Sequence, residues 1–421
     1  LFPHRANLSS QPRCNAQQEQ SEGRSDPSHP GYPRESLIFY MAYFDNNATT
    51  PLAASALDSL HKALEEEWSN PSSLYRKAAR VRAGINRSRE QIAETLGVEP
   101  SFLTFTSGAT EANNAVFSYF SHQSSSDSKV LISSIEHPSV SSPAKWYFPD
   151  RVDFLETNGE GTICLEGLEA ALHSQSRPIL VSLMAASNET GVLQPWKEAA
   201  KMCKGFGVHF HCDSTQWLGK LPADDFSLCS TFVSSGHKFG SPKGIGWMVG
   251  QDSIPFFHGG SQEGGRRGGT ENYPAIEALC SAWQRSQATL AELPARSQWR
   301  DSFESTLLTA IPGLRVLGGK SPRLWNTSCF VVPEFENLRW VGKLDRLGFE
   351  VSTGSACSSG KDELSPSASA FSLSSDETRR IIRVSSYIEQ EQKDWKELAN
   401  AFIQAFEELS REASTSTVIS I

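Results

Sequence analysis

The sequence lacks CxxC cysteine pairs, long apolar runs and any excess of basic residues, and each absence removes a class of protein. Its eight cysteines, at 14, 164, 203, 212, 229, 280, 329 and 357, are scattered over 421 residues. That spacing builds neither a zinc site nor a dense disulfide framework, so no metal is expected and most thiols should be free, in a reducing, cytoplasmic setting. No stretch approaches the run of about 18 apolar residues that marks a membrane span, so a soluble chain without a membrane partner is expected. With 39 Lys and Arg against 48 Asp and Glu, the formal net charge is −9. That sign argues against a general nucleic-acid binder, whose phosphate contacts need a basic face. A hydrophobic content of 38% over 421 residues supplies a sizeable core and suggests two domains.

Residues 1–40 contain five prolines and little hydrophobic periodicity, and are expected to be disordered or non-native. A transit peptide would be Arg-rich and acid-poor, yet Glu19, Glu22, Asp26 and Glu35 balance four arginines here. Met41, the first methionine, directly precedes AYFDNNATTP and is the expected natural start. From Asp45 onward helix-like and strand-like segments alternate, the pattern of an α/β fold with a mainly parallel sheet. Strands are expected at KVLIS (129–133), PILVSLMAA (178–186), GVHFHC (207–212), STFVS (230–234) and GIGWMV (244–249). Val81, Ile85, Ile92 and Leu96 share one helix face that Gly97 stops. Trp395, Leu398, Ala399, Phe402, Ile403, Phe406 and Leu409 recur at helical spacing, giving an amphipathic helix for a smaller C-terminal domain. The expected division is a segment 41–54 joining the small domain, a large domain over 55–290, a small domain over 291–410 and a loose tail over 411–421.

Polar groups cluster just after the expected strands, and in open α/β sheets ligands bind beyond the carboxyl ends of strands. His137 follows KVLIS, Asn188 follows PILVSLMAA, Asp213 and Gln216 follow GVHFHC, and Ser235, His237 and Lys238 follow STFVS. A lysine that forms a Schiff base must lose its proton, which an apolar pocket or a neighbouring cation favours. Lys238, in SSGHKFGSPKGIG, follows a hydrophobic strand and adjoins His237, whereas a lone loop lysine is ordinarily a solvated charge. Asp213, ending a buried strand, suits a carboxylate that keeps a pyridine nitrogen protonated; by spacing alone it also suits a helix N-cap. Gln216, three residues on, is within reach of a ring hydroxyl. In TFTSGATEANN, Gly108 lets the chain turn into a helix opening with Ala109 and Thr110, whose first amides suit a phosphate, although an ordinary strand-to-helix loop reads the same. These are the parts of a site for pyridoxal 5'-phosphate (PLP).

Ordered blocks are more specific than any one of these signals. DNNATTP (45–51), NPSS (70–73), TSGATEANN (106–114), EHPS (136–139), NETG (188–191), CDSTQ (212–216), SGHKFGSPKGIG (235–246), GGSQEGGRRGGTEN (259–272), GSACSSG (354–360) and RVS (383–385) run through the globular part. Together they resemble the cysteine desulfurases of the NifS and IscS type, within the class V aminotransferases, from about residue 43 to about 405. The resemblance implies PLP-dependent transferase fold type I, with a mainly parallel seven-stranded sheet in the large domain and a smaller C-terminal α+β domain. It implies that Lys238 holds PLP, His137 stacks on its ring and assists proton transfer, Asp213 pairs with the ring nitrogen and Gln216 contacts the ring hydroxyl. Thr110, Ser235 and His237 would hold the phosphate, and Thr270 would reach the phosphate of the partner subunit in a homodimer. Arg383 would take the carboxylate of L-cysteine, with Asn188 nearby.

Cys357 lies in VSTGSACSSGKDELSPSAS, a stretch of small and polar residues that reads as a mobile loop. The resemblance makes its thiolate the sulfur acceptor, leaving L-alanine and an enzyme-bound persulfide for an acceptor protein, as in iron–sulfur cluster assembly. GSACSSG points to the long-loop branch of the family. Tyr75 stands where the family usually has histidine, and RVS is followed by Ser386 and Tyr387 instead of Leu-Gly-Arg. The competing readings are another class V PLP enzyme, such as an aminotransferase or selenocysteine lyase, and a non-catalytic partner with the same fold.

Overall fold

The computed structural model describes residues 43–251, 253–354 and 366–418. The segment 1–40, Met41 and Cys357 lie outside the described residues. Strands β1 (Leu103–Thr106), β2 (Val130–Ser133), β3 (Val152–Leu155), β4 (Leu180–Ser182), β5 (His209–Asp213), β6 (Thr231–Ser235) and β7 (Gly246–Gly250) form one sheet in the order β1-β7-β6-β5-β4-β2-β3. β7 runs antiparallel to both its neighbours, and the remaining pairs are parallel. All five expected strands are present. β4 is shorter than PILVSLMAA suggested, yet the amides of Leu183 and Ala185 still bond the carbonyls of His211 and Asp213 and keep the chain beside β5. The β3 segment was not anticipated because its interior residues Asp153 and Phe154 are exposed, which hides the apolar signal of a strand.

Alternation along the central strands feeds two cores. Leu131, Phe232, Trp247 and Val249 enter one cluster, while Val130, Ile132, Val233 and Met248 enter another. Burial on both faces explains why these strands read as apolar runs. Helices α1 (Ala54–Glu66), α2 (Arg76–Leu96), α3 (Ala109–Gln123), α4 (Pro138–Tyr147), α5 (Leu165–His173), α6 (Trp196–Gly205) and α7 (Tyr273–Thr289) cover the sheet. Residues of α1, α2, α5, α6 and α7 pack into the first cluster, and residues of α3 and α4 into the second. α2 ends as expected at Gly97, whose φ of 65° and amide bonds to Ala93 and Glu94 carbonyls make a left-handed cap.

A second, antiparallel sheet has the order β10-β9-β8, from β8 (Arg315–Val316), β9 (Thr327–Val331) and β10 (Ile381–Ser385). Around it lie α8 (Ser297–Ala310), α9 (Asn337–Arg346), the short α10 (Pro366–Ala370) and α11 (Ser375–Thr378), and α12 (Gln392–Val418). Phe303, Phe330, Trp340, Ile382, Trp395, Leu398, Phe402 and Leu409 share one core, so the apolar face expected from Trp395 to Leu409 is buried against this sheet. The expected loose tail begins too early, because α12 continues through residues 411–418. Glu412 there bonds Lys343 at 2.6 Å and Arg339 at 3.2 Å, tying that turn to α9. Among the described residues no helix is long and apolar enough to cross a membrane.

The segment at 43–53, with isolated bridges at Tyr43 and Asp45 and a turn at 46–48, joins the two sheets. Phe44 exchanges backbone bonds with Glu350 at 2.8 Å and Ser385 at 2.7 Å, and its ring enters the core of the small sheet. A few residues later Thr50 bonds the His237 carbonyl at 2.9 Å and Ala53 the Gly240 carbonyl at 2.8 Å. DNNATTP is thereby held between β10 and the turn that follows β6.

Candidate active site

β1 and β6 both run antiparallel to β7, so they are parallel to each other and to β5, β4 and β2. The carboxyl ends of all five strands therefore open on the same edge of the sheet. A cavity of about 520 Å³ lies there, lined among others by Asn47, Thr110, His137, Asp213, Lys238 and Arg383. Ala109, Asn188, Gln216, Ser235 and His237 line it too. Of the residues singled out in the sequence, Thr270 is exposed and does not line the cavity, and Cys357 lies outside the described residues.

At the end of β1, Gly108 precedes α3 with φ 147°, and a Cβ there would sit 3.1 Å from the Ser235 hydroxyl. Glycine thus serves both the backbone angle and the close approach of β6. As N-cap it offers no side-chain acceptor, which leaves first-turn N–H groups of α3 for an anion. After β2, His137 caps α4, its Nδ1 accepting from the Ser139 amide at 3.0 Å and lying 2.9 Å from the Ser139 hydroxyl. With Nδ1 an acceptor, the neutral ring carries its proton on Nε2. Burial, partly opposed by Asp213, holds the His137 pKa below the ordinary histidine range.

At the end of β5 the Asp213 carboxylate accepts from the Thr215 amide at 3.0 Å and from Asn113 Nδ2 at 3.1 Å. After β6 the chain tightens into a helical turn at Gly236–Lys238. Lys238 Nζ donates to the Asn47 and Ala48 carbonyls, each at 2.8 Å. His237 Nδ1 lies 3.1 Å from the Thr49 hydroxyl, and burial with the charges of Lys238 and Lys243 pushes its pKa down to about 4. On β10, Arg383 is buried, its Nη1 bonding the carbonyls of Asn188 at 3.1 Å and Gly354 at 3.2 Å and its Nη2 pairing with Asp45. The Nε of Arg383 and the hydroxyl of Thr215 have no partner among the described residues, although both residues line the cavity.

The class-V aminotransferase family profile matches residues 42–398. Cysteine desulfurase 2 of Trichormus variabilis is 36% identical over 337 residues, spanning 79% of this chain and 84% of its own length. Cysteine desulfurase IscS of Dictyoglomus turgidum is 34% identical over 341 residues, spanning 79% and 86%. The X-ray structure of a NifS-like protein from Rickettsia africae superposes with a TM-score of 0.78 at 28% identity, covering 87% of this chain and 99% of that one. This chain belongs to the class-V aminotransferases. Its relatives place it among the cysteine desulfurases, and the fold is that of the PLP-dependent NifS-like enzymes.

The family is PLP-dependent, and the cavity has the chemistry for that group. A helix N-terminus beside Ser235 and His237 offers donors to a phosphate, the buried Asp213 carboxylate suits a cationic ring nitrogen, and Lys238 lines the same space. Two contributions escaped the sequence reading of this class-V aminotransferase. Asn47, Ala48 and Thr49 contact Lys238 and His237 from the DNNATTP block, which had been recognised without a role for these residues. Asn113 lies in the recognised TSGATEANN block, but nothing local shows that its amide reaches Asp213.

Proposed function

We propose that the cavity is where this cysteine desulfurase binds PLP on Lys238 and takes sulfur from L-cysteine onto Cys357, releasing L-alanine. The observation that carries the reading is the meeting of Lys238, Asp213, His137 and Arg383 around one space of about 520 Å³. Bound PLP supplies an electron sink for the substrate's Cα. Asp213 would keep the ring nitrogen protonated, Gln216 would meet the ring hydroxyl, and Thr110, Ser235, His237 and the Ala109 amide would hold the phosphate. His137, kept uncharged by burial, would lie against the ring and could hand on a proton at Nε2. Arg383 takes the substrate carboxylate on its unpartnered Nε edge, with the Asn188 carbonyl fixing the guanidinium. The Cys357 thiolate forms an S–S bond to the substrate sulfur as the substrate's C–S bond breaks, and the persulfide passes to an acceptor protein.

The same reading makes the enzyme a cytoplasmic homodimer, with Thr270 completing the partner's phosphate site. Support comes from the exposure of Thr270 and of Trp68, Leu74, Tyr75 and Phe257, an apolar set suited to a subunit interface. The free state of the six described cysteines suits a reducing compartment. A large domain over 55–290 and a small one over 291–410, bridged by 41–54, is supported by the way the two sheets divide between those ranges.

Incubation with L-cysteine and a reductant, with alanine and sulfide measured together, tests the activity; equal yields are expected. Cys357→Ala should keep the visible cofactor band and lose alanine production. Undiminished alanine from that variant would remove Cys357 from the mechanism.

A further inference from the structure

Lys220 is a buried amine that the chemistry above does not use. It is 4% exposed, and its Nζ donates to Asn47 Oδ1 at 2.7 Å and to Gln216 Oε1 at 2.5 Å. No carboxylate pairs with it among the described residues, and its charged neighbours are the cations Lys238 and Arg383. An ammonium would bury a third N–H without an acceptor and a charge without a counter-ion. A neutral amine has two N–H groups, and two amide oxygens receive them. Burial, then the charges of Lys238 and Arg383, push the group well below the ordinary lysine range, in agreement with that count.

The two acceptors belong to residues at the heart of the cavity. With Oε1 turned to Lys220, Gln216 gives one N–H to the Asn47 carbonyl at 2.9 Å and keeps its other N–H for the space it lines. Reversing that amide would take the acceptor away from one of the two amine N–H groups. With Oδ1 on Lys220, Asn47 turns Nδ2 to the Thr327 hydroxyl at 2.9 Å and the Asn188 carbonyl at 3.2 Å. The backbone carbonyl of Asn47 then accepts from Lys238 at 2.8 Å.

We propose that Lys220 is a positioning residue of the cofactor site, an uncharged amine whose two hydrogen bonds fix the amides of Gln216 and Asn47. Gln216 thereby presents an N–H to the ring hydroxyl, and the Asn47 carbonyl stays against Lys238. The proposal rests on the reading of the cavity as the PLP site. A donor at the ring oxygen favours its deprotonated form.

Lys220→Met keeps the length of the side chain and removes both donors. In the holoenzyme the pH midpoint of the visible cofactor band is expected to rise, by about three- to tenfold in proton affinity, the worth of one hydrogen bond. Cofactor release on dilution should quicken by a similar factor, and Lys220→Gln, which retains an amide donor, should restore much of both. Midpoint and release rate equal to wild type in Lys220→Met, with the cofactor still on Lys238, would overturn the proposal. Should Lys220→Met fail to fold, nitrogen NMR of lysine-labelled holoenzyme near neutral pH decides: an amine resonance missing from Lys220→Gln supports it, and an ammonium resonance there overturns it. Absence of any visible band in the wild type would count against the PLP reading itself, which keeps the two failures apart.

Discussion

Asn113, on α3, holds Asp213 at the end of β5: Nδ2 donates to Asp213 Oδ2 at 3.1 Å and to the Ser139 hydroxyl at 3.1 Å. Its Oδ1 takes the Nε2 proton of His211 at 2.8 Å, and His211 Nδ1 lies 2.8 Å from the Thr231 hydroxyl. Asn113 and His211 are both fully buried, and burial pushes the His211 pKa down to about 3. A neutral His211 can donate from one nitrogen and accept at the other, so every link in the row from Thr231 to Asp213 has a donor and an acceptor.

Asn113→Leu breaks that row at its centre, leaving the His211 N–H unpaired and taking a donor from Asp213. The expected loss is about 1–3 kcal/mol of unfolding free energy, the cost of a buried polar group left alone. Weaker PLP binding should accompany it, because Asp213 loses part of its hold. Urea unfolding of the cofactor-free protein and a PLP titration measure the two effects, and wild-type values in both would show the bond to be idle.

Glu136 keeps its proton to a higher pH than a surface carboxylate does. Its Oε1 accepts from the Ser133 hydroxyl at 2.8 Å and the Met184 amide at 2.7 Å, while Oε2 has no partner among the described residues. Burial first, and the Asp213 charge second, push its pKa up to about 8 from 4.5. Between those values the folded chain keeps a proton that the unfolded chain has released, so this group's contribution to stability falls as pH rises from 4.5 to about 8 and levels off above. Glu136→Gln removes the titration. Urea unfolding across that window should show the wild type losing stability relative to the variant, and parallel curves would refute the assignment.

The residues legible in the sequence are those whose signal is local. Lys238, Asp213 and Gln216 stand at the ends of apolar strands, and Gly108 sits at a strand-to-helix turn, so pattern alone placed them on one edge of the sheet. Lys220 and Asn113 carry no such mark, because Asn47 lies 173 residues from the first and Asp213 100 residues from the second. Arg383 was found through the RVS block, while β10 around it was missed: its five residues are all buried, and Arg383 and Ser385 break the apolar run by which other fully buried strands were recognised. The length of α12 escaped for a different reason. SREASTST offers a single apolar residue, Ala413, to the core, and its helical state rests on contacts such as Glu412 with Lys343 that belong to another helix.

Phe402 sits at the centre of the core that α12 makes with the small sheet, fully buried, with its ring centroid 5.4 Å from that of Phe330 and 5.8 Å from that of Phe303. Phe402→Ala is expected to cost about 3–5 kcal/mol, the usual range for a truncated buried aromatic. The cofactor band of the folded variant should be unchanged, since Phe402 does not line the cavity. Guanidinium unfolding gives the first quantity and an absorption spectrum the second.

Arg383 is held on three sides, by Asp45 on Nη2 and by the Asn188 and Gly354 carbonyls on Nη1, which leaves Nε as its unpartnered donor among the described residues. The Nε–H and the adjacent Nη–H of a guanidinium form one edge that matches the two oxygens of a carboxylate. A lysine cannot replace this arrangement, because one ammonium has three donors and no fixed fork. Arg383→Lys is therefore expected to raise KM for L-cysteine roughly 10- to 100-fold, the loss of one hydrogen bond to a charged group, with a smaller change in kcat. Steady-state kinetics of the PLP-loaded variant give both terms, and unfolding of the cofactor-free form checks that the fold survives the loss of the bonds to Asn188 and Gly354. If kcat collapses while KM stays at the wild-type value, Arg383 acts in the chemical step and the substrate carboxylate must bind elsewhere.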